Sequence, residues 1–314
     1  METHSHSVSQ RADVPQGFSG VFAAMPTPFG PDGLPDVKGL DSLVDFLLDA
    51  GLDGLCVGGA TGEYAAFGPN DRIRLFRHVA ERVGGRLPLI FGVGAENSGQ
   101  VLRLSETAAE CGGGMLLLPP AAYFRYVSGD FVEFIRQVSE MLPLPTLLYN
   151  VPQFTNPIEL SELLRLVESV ANVVGIKDSS GDKGNLPLIA ETKARVLMLF
   201  FAGNDSLLFD SLQHGADGAV SGIASACPEL LLALYNAHRD GQVEWAMTLQ
   251  AVLDEFIAQL EMLPVPWGIK LALEARGFPL GSLGWPLGPR LQTQIAHFRQ
   301  WFPSWLGCCL RTCA

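Results

Sequence analysis

The chain has 314 residues, 48% of them hydrophobic, enough to bury one large α/β core or two ordinary ones. A formal net charge of -12 offers no basic surface to nucleic acid or to an anionic membrane. No apolar run approaches the ~18 residues of a membrane span. The start, Met1 to His6, lacks the basic and apolar regions of a signal peptide, so a cytoplasmic location is expected.

In chain order, residues 1–14 read as a flexible tail, with His4 and His6 in a frayed terminus rather than in a metal site. Short runs rich in Val, Ile, Leu, Phe and Gly then alternate with segments of helical periodicity. The pattern predicts strands over 21–25, 54–57, 89–92, 114–118, 146–150, 173–177, 197–201 and 218–221. The helices between and after them are predicted over 37–50, 70–83, 98–111, 129–141, 158–170, 182–194, 205–214 and 228–238. Successive βα units over 15–238 predict an α/β fold of the closed (β/α)8 TIM barrel type, with its active site at the carboxyl ends of the strands; a doubly wound open sheet is the alternative. After residue 240 the strand signal stops. Helices over 243–262, 267–276 and 289–301 predict a C-terminal helical extension, 239–303, rather than a second catalytic domain.

Cys56, Cys111 and Cys227 stand singly among apolar or small residues, as reduced core cysteines do. Cys308, Cys309 and Cys313 cluster in 304–314 without a nearby His or the paired spacing of a zinc site. That segment reads as a disordered Cys-containing tail, with metal binding or palmitoylation as alternatives.

Lys177 ends the apolar run Val173-Val174-Gly175-Ile176, and a lone cation there needs a reason. Strands of parallel sheets are buried on both faces, and burial disfavours an ammonium, so an amine in that position is suited to attack a carbonyl. The competing reading is a lysine that snorkels to solvent. The neighbouring strand ends favour the first. Strand two runs into Gly58-Gly59-Ala60-Thr61-Gly62-Glu63, where small residues and successive N–H groups can receive a carboxylate, and strand five brings Tyr149. An amine, a phenol and an anion-binding turn suit a 2-oxo acid.

The set Pro26-Thr27-Pro28-Phe29, Gly59-Ala60-Thr61-Gly62-Glu63, Tyr149-Asn150-Val151-Pro152 and Gly175-Ile176-Lys177-Asp178 resembles the dihydrodipicolinate synthase and N-acetylneuraminate lyase family, in order from about Phe18 to Trp301. The resemblance implies a TIM barrel with a helical extension, a homotetramer or homodimer, and a lysine imine with pyruvate that needs no metal and no organic cofactor. It implies Lys177 as the imine former and Tyr149 as the proton-transfer residue. Thr61 and the Ala60 backbone would hold the pyruvyl carboxylate, and the Val220 carbonyl would lie beside the pyruvyl group. Gly203-Asn204-Asp205-Ser206 falls where sugar-acid lyases contact distal hydroxyls, with a helix N-cap as an equal alternative for Asp205.

The chain departs from the synthases at two places. Phe154 stands where they carry an arginine for aspartate semialdehyde, and a phenyl ring cannot make paired, charge-assisted hydrogen bonds. Ala60 replaces the first of two threonines that relays protons with two tyrosines, one of them from a neighbouring subunit. Counting from Pro120 puts Ala122 at that subunit-crossing position, and a one-residue insertion puts Tyr123 there. The expected activity is a pyruvate-dependent class I aldolase, a lyase acting on a 2-keto-3-deoxy sugar acid or related 2-oxo acid. The alternatives are a synthase condensing pyruvate with aspartate semialdehyde, and a non-catalytic 2-oxo acid sensor.

Overall fold

Strand β1 (Gly20–Ala24) pairs in parallel with β2 (Gly54–Val57). Pairing continues in sequence order through β3 (Leu89–Gly92), β4 (Met115–Leu118), β5 (Thr146–Asn150), β6 (Val173–Asp178), β7 (Leu199–Ala202) and β8 (Gly218–Ser221), and β8 closes on β1. This computed structural model describes residues 14–278, 281, 283 and 286–313. The predicted tail over 1–14, with His4 and His6, lies outside the described residues except for Val14.

Helices α1 (Val37–Asp49), α2 (Pro69–Val83), α3 (Ser98–Glu110), α4 (Ser128–Ser139), α5 (Leu160–Ser169), α6 (Asn185–Arg195) and α7 (Leu208–Gln213) each follow one strand. Short α8 (Ile223–Ala226) and α9 (Pro228–Arg239) follow β8. Local chemistry sets several ends. The Asn97 side chain accepts from Gln100 N at the start of α3, while α2 opens on Pro69 and stops at Gly84, whose φ of 59° suits glycine.

Every strand residue is buried, as both faces of a barrel wall require. One set, including Phe22, Cys56, Ile90, Leu147, Val174 and Phe201, packs inside the barrel; its alternates, such as Val21, Leu55, Phe91 and Phe200, pack under the helices. Strand β6 breaks this alternation. Its pairing with β5 steps from Thr146↔Val173 to Leu147↔Gly175, skipping Val174. Val173 and Ile176 therefore both face the helices, while Val174 packs inside. Unbroken alternation from Val173 would turn residue 177 outward, so the bulge re-aims Lys177 into the barrel mouth. Gly175 permits it, because a Cβ there would lie 2.1 Å from Leu199 O.

Several predicted bounds are corrected. The seventh strand begins at Leu199, not 197, since Gly175 pairs with Leu199 and Leu197 is 73% exposed. The helix predicted over 182–194 starts at Asn185, because Asp182 Oδ1 accepts from Gly184 N and makes a turn instead. The one predicted over 205–214 opens as a 3-10 turn, Asp205–Leu207, before α7.

The extension comprises α10 (Val243–Leu260), α11 (Trp267–Ala275) and α12 (Pro289–Cys313). Residues 304–313 are the last turns of α12, not a disordered tail. Ile295, Phe298, Phe302, Trp305 and Cys309 recur at helical spacing and are buried, four of the aromatic pairs being made with Phe256 of α10. That stripe outweighs Pro303, which lies inside the helix.

Candidate active site

Lys177 and Tyr149 are paired neighbours on β6 and β5, each 5% exposed. The Lys177 Nζ lies 4.4 Å from the centre of the Tyr149 ring, and Ser179 Oγ lies 3.4 Å from the phenol oxygen. The lysine does not snorkel. Its stem runs past Gly203, where a Cβ would fall 2.6 Å from Lys177 Cε and 2.2 Å from Ser179 Oγ. Behind them Asn150 Nδ2 donates to Asp178 Oδ1 at 2.7 Å, and Ser180 N and Oγ donate to the same carboxylate. Those bonds fix the backbone that leaves β5 and β6.

The turn after β2 begins at Gly58, with φ 72°, and carries Ala60 and Thr61 to the pocket wall. Among the described residues the N–H groups of Ala60 and Thr61 have no protein acceptor, so both remain free for an anion. Thr27 Oγ1 donates to Gly62 O at 2.8 Å and ties the turn to the segment after β1. On its other side Thr61 packs against Gly222, where a Cβ would fall 2.9 Å from Thr61 Oγ1. Val220, 1% exposed on β8, completes this half of the pocket.

The far half has two unlike walls. Gln153, Ser179, Asn204 and Asp205 form a polar one, and Gln153 Nε2 is held by Ser179 O at 2.8 Å. Ile257, Leu260 and Ile269 of the extension form an apolar one. The cavity between is about 290 Å³. Asp205 is not a helix cap: Asn204 Oδ1 accepts from Ser206 N, while the Asp205 carboxyl turns inward to Ser221 and Lys177. Burial pushes that carboxyl up to about 6, against the lowering effects of the Ser221 hydrogen bond and the Lys177 charge. Phe154 sits at the rim, 52% exposed.

The fold thus brings together Lys177, Tyr149, Ala60, Thr61, Val220, Phe154 and Asp205. It does not bring Tyr123, whose ring is 82% exposed and meets Phe124 edge-on. A separate cavity of about 200 Å³, bounded by Glu96, Pro120, Tyr126, Phe131 and Asn156, lies outside the barrel mouth and holds none of these residues. Sequence reasoning missed Gln153, Ser179, Ser221 and the extension residues. Ser179 directly follows the Lys177-Asp178 strand end, which was the available signal for it; nothing local marks Ile257 or Ile269. Among the described residues no group of three or more His, Cys, Asp or Glu side chains is placed to hold a metal ion.

Known proteins resemble this chain along most of its length. A profile of the Dihydrodipicolinate synthetase family matches residues 17–300. The 4-hydroxy-tetrahydrodipicolinate synthase of Bacillus subtilis is 32% identical over 274 residues, 87% of this chain and 94% of that one. The Escherichia coli protein named "Probable 2-dehydro-3-deoxy-D-pentonate aldolase YjhH" is 30% identical over 268 residues, 84% of this chain and 89% of the relative. Among solved structures, YagE of E. coli K12, a prophage protein of the same family in complex with pyruvate, superposes with a TM-score of 0.85 at 27% identity, covering 92% of this chain and 99% of YagE. With so long a match, relatives at and above 30% identity and a barrel of the same build, the chain belongs to the dihydrodipicolinate synthetase family and is an enzyme of its lyase and aldolase class.

Proposed function

We propose that this enzyme is a pyruvate-dependent class I aldolase, cleaving or forming a 2-keto-3-deoxy sugar acid or a related 2-oxo acid. The observation that carries the reading is the Lys177 amine buried against Tyr149, one strand end from a turn with two free N–H groups. The YagE structure supports it, since the molecule bound there is pyruvate.

In the cleavage direction the Ala60 and Thr61 N–H groups receive the substrate carboxylate, which orients the ketone toward Lys177 Nζ. The amine adds to the ketone carbon, and loss of water leaves a protonated imine. Tyr149 takes the proton of the C4 hydroxyl as the C3–C4 bond breaks. The bonding pair flows into the imine, leaving an enamine on Lys177 and a free aldehyde. Protonation at C3 and hydrolysis of the imine release pyruvate and restore the amine. This scheme needs neither a metal nor an organic cofactor.

The aldehyde portion occupies the far half, between Gln153, Ser179 and Asn204 on one side and Ile257, Leu260 and Ile269 on the other. Among the described residues no arginine lines that space, and the one carboxyl there, Asp205, would repel a carboxylate. An uncharged aldehyde fits; aspartate semialdehyde does not. The B. subtilis relative makes the synthase the second reading. Initial rates with pyruvate and a set of aldehydes separate the two. Turnover of uncharged hydroxyaldehydes above aspartate semialdehyde is expected, and efficient condensation with aspartate semialdehyde would refute it.

The working form is read as a homotetramer or homodimer in the cytoplasm. Exposed Tyr123, Phe124, Tyr126 and Val127 form an apolar patch suited to a neighbouring subunit, and from it Tyr123 is the candidate that crosses to the partner's pocket. Buried, unpaired Cys56 and Cys227 suit a reducing compartment.

A further inference from the structure

Glu63 has a φ of 53° and is the one non-glycine residue among those described in the left-handed region. Such a backbone persists only where its surroundings hold it, and it closes the turn that presents Ala60 and Thr61. Its N–H donates to Ala60 O at 2.9 Å, so the conformation at 63 is built into the turn itself. What holds Glu63 comes from outside the barrel. Its carboxylate is ion-paired with Lys270 of α11, and the two side chains are 16% and 2% exposed. Burial pushes the Glu63 carboxyl up and the Lys270 ammonium down, and each charge partly offsets the other's loss of water.

The Lys270 Nζ also sits 3.7 Å from the centre of the Phe29 ring, a cation–π contact. Phe29 belongs to the Pro26-Thr27-Pro28-Phe29 motif, whose Thr27 already grips Gly62 O. The far end of α11 is fastened as well, since Arg276 Nη1 donates to Ala226 O and to Glu229 Oε2, both at 3.0 Å. Helix α8, which ends at Ala226, begins just after Gly222, the glycine that faces Thr61. Both flanks of the turn are therefore braced by α11.

We propose that the helical extension is part of the pyruvate-binding machinery: Lys270, through Glu63 and Phe29, holds the turn after β2 in the shape that aims the Ala60 and Thr61 N–H groups at the pyruvyl carboxylate. Lys270 and Glu63 are positioning residues, and the inference rests on the reading of that turn as the carboxylate site. Losing the brace weakens the carboxylate site while leaving the imine chemistry of Lys177 in place.

The test is calorimetric titration of pyruvate into the full-length wild type, Lys270→Met, Glu63→Gln and the double variant, with borohydride trapping of each at saturating pyruvate. Each single change is expected to weaken pyruvate binding by about 10- to 100-fold, with the adduct still on Lys177 and KM for the aldehyde little changed. The double variant should bind no worse than the weaker single, because the two act as one unit. Folded variants that lose thermal stability but bind pyruvate within about twofold of wild type would overturn the proposal. If Lys270→Met does not fold, Phe29→Leu keeps both charges and is judged the same way: weaker pyruvate binding supports the brace, unchanged binding refutes it. Wild-type protein that neither binds nor traps pyruvate would remove the parent reading and this inference with it; wild-type trapping with unaffected variants removes this inference alone.

Discussion

The two halves of the pocket are built differently. The half proposed for the pyruvyl group comes from adjoining strand ends and the turn after β2, where hydrogen-bonded register sets neighbours such as Tyr149 and Lys177. The far half combines loop residues with side chains of α10 and α11, which reach the mouth from outside the barrel. One half has a chemistry that register dictates, and the other has a shape that packing of an appendage dictates. A change in the first should therefore damage the reaction, and a change in the second should redirect it.

Lys177→Ala probes the first half most severely, because among the described residues no other amine lines the pocket. Turnover should fall by about 10⁴-fold or more, with no borohydride adduct; a smaller loss would show that imine formation is not the route. Tyr149→Phe keeps the ring against the lysine and removes the hydroxyl. It should lower kcat by about 10²- to 10⁴-fold while pyruvate is still trapped, which separates proton transfer from imine formation. Ile257→Asn tests the second half. It should change kcat/KM for a given aldehyde by about tenfold and leave pyruvate binding alone, and an equal effect on both substrates would erase the distinction between the halves.

The smallest effect concerns Asp205, on the boundary. Burial raises its carboxyl to about 6 in the folded protein from the ordinary aspartate value of 3.8, so the folded state binds this proton more tightly than the unfolded chain. Its contribution to stability is therefore least unfavourable below about pH 4 and is lost as pH rises through about 6. Asp205→Asn should flatten the fall in thermal stability across that window and leave the protein more stable at pH 7; melting curves at several pH values check this.

The barrel and the gathering of Lys177, Tyr149 and the turn after β2 in one pocket could be read from the sequence because both rest on short-range patterns. A strand run followed by helical periodicity repeats along the chain, and Lys177, Tyr149 and the Gly58–Glu63 turn each sit directly after a run. The pattern could not show how Lys177 comes to face inward. That depends on the skipped pairing at Val174 and on Gly175, whose missing side chain admits Leu199 O. Asp205 was equally readable as a cap, and only the fold shows Asn204 capping while Asp205 turns to Ser221. The far wall was unreadable for a stronger reason: Ile257 and Ile269 look like ordinary apolar helix positions until α10 and α11 are laid across the mouth. The run from 304 reads as a tail because its local signal is a cluster of cysteines near the terminus, whereas the aromatic stripe that makes it helical gains its energy from Phe256, far away in sequence.

The imine at Lys177 is the claim on which both halves depend. Incubating the protein with pyruvate and borohydride, then mapping the modified peptide by mass spectrometry, tests it directly. A stable pyruvate-derived adduct on Lys177, absent without pyruvate, is the predicted result. An unmodified Lys177, or an adduct confined to another lysine, would contradict the account.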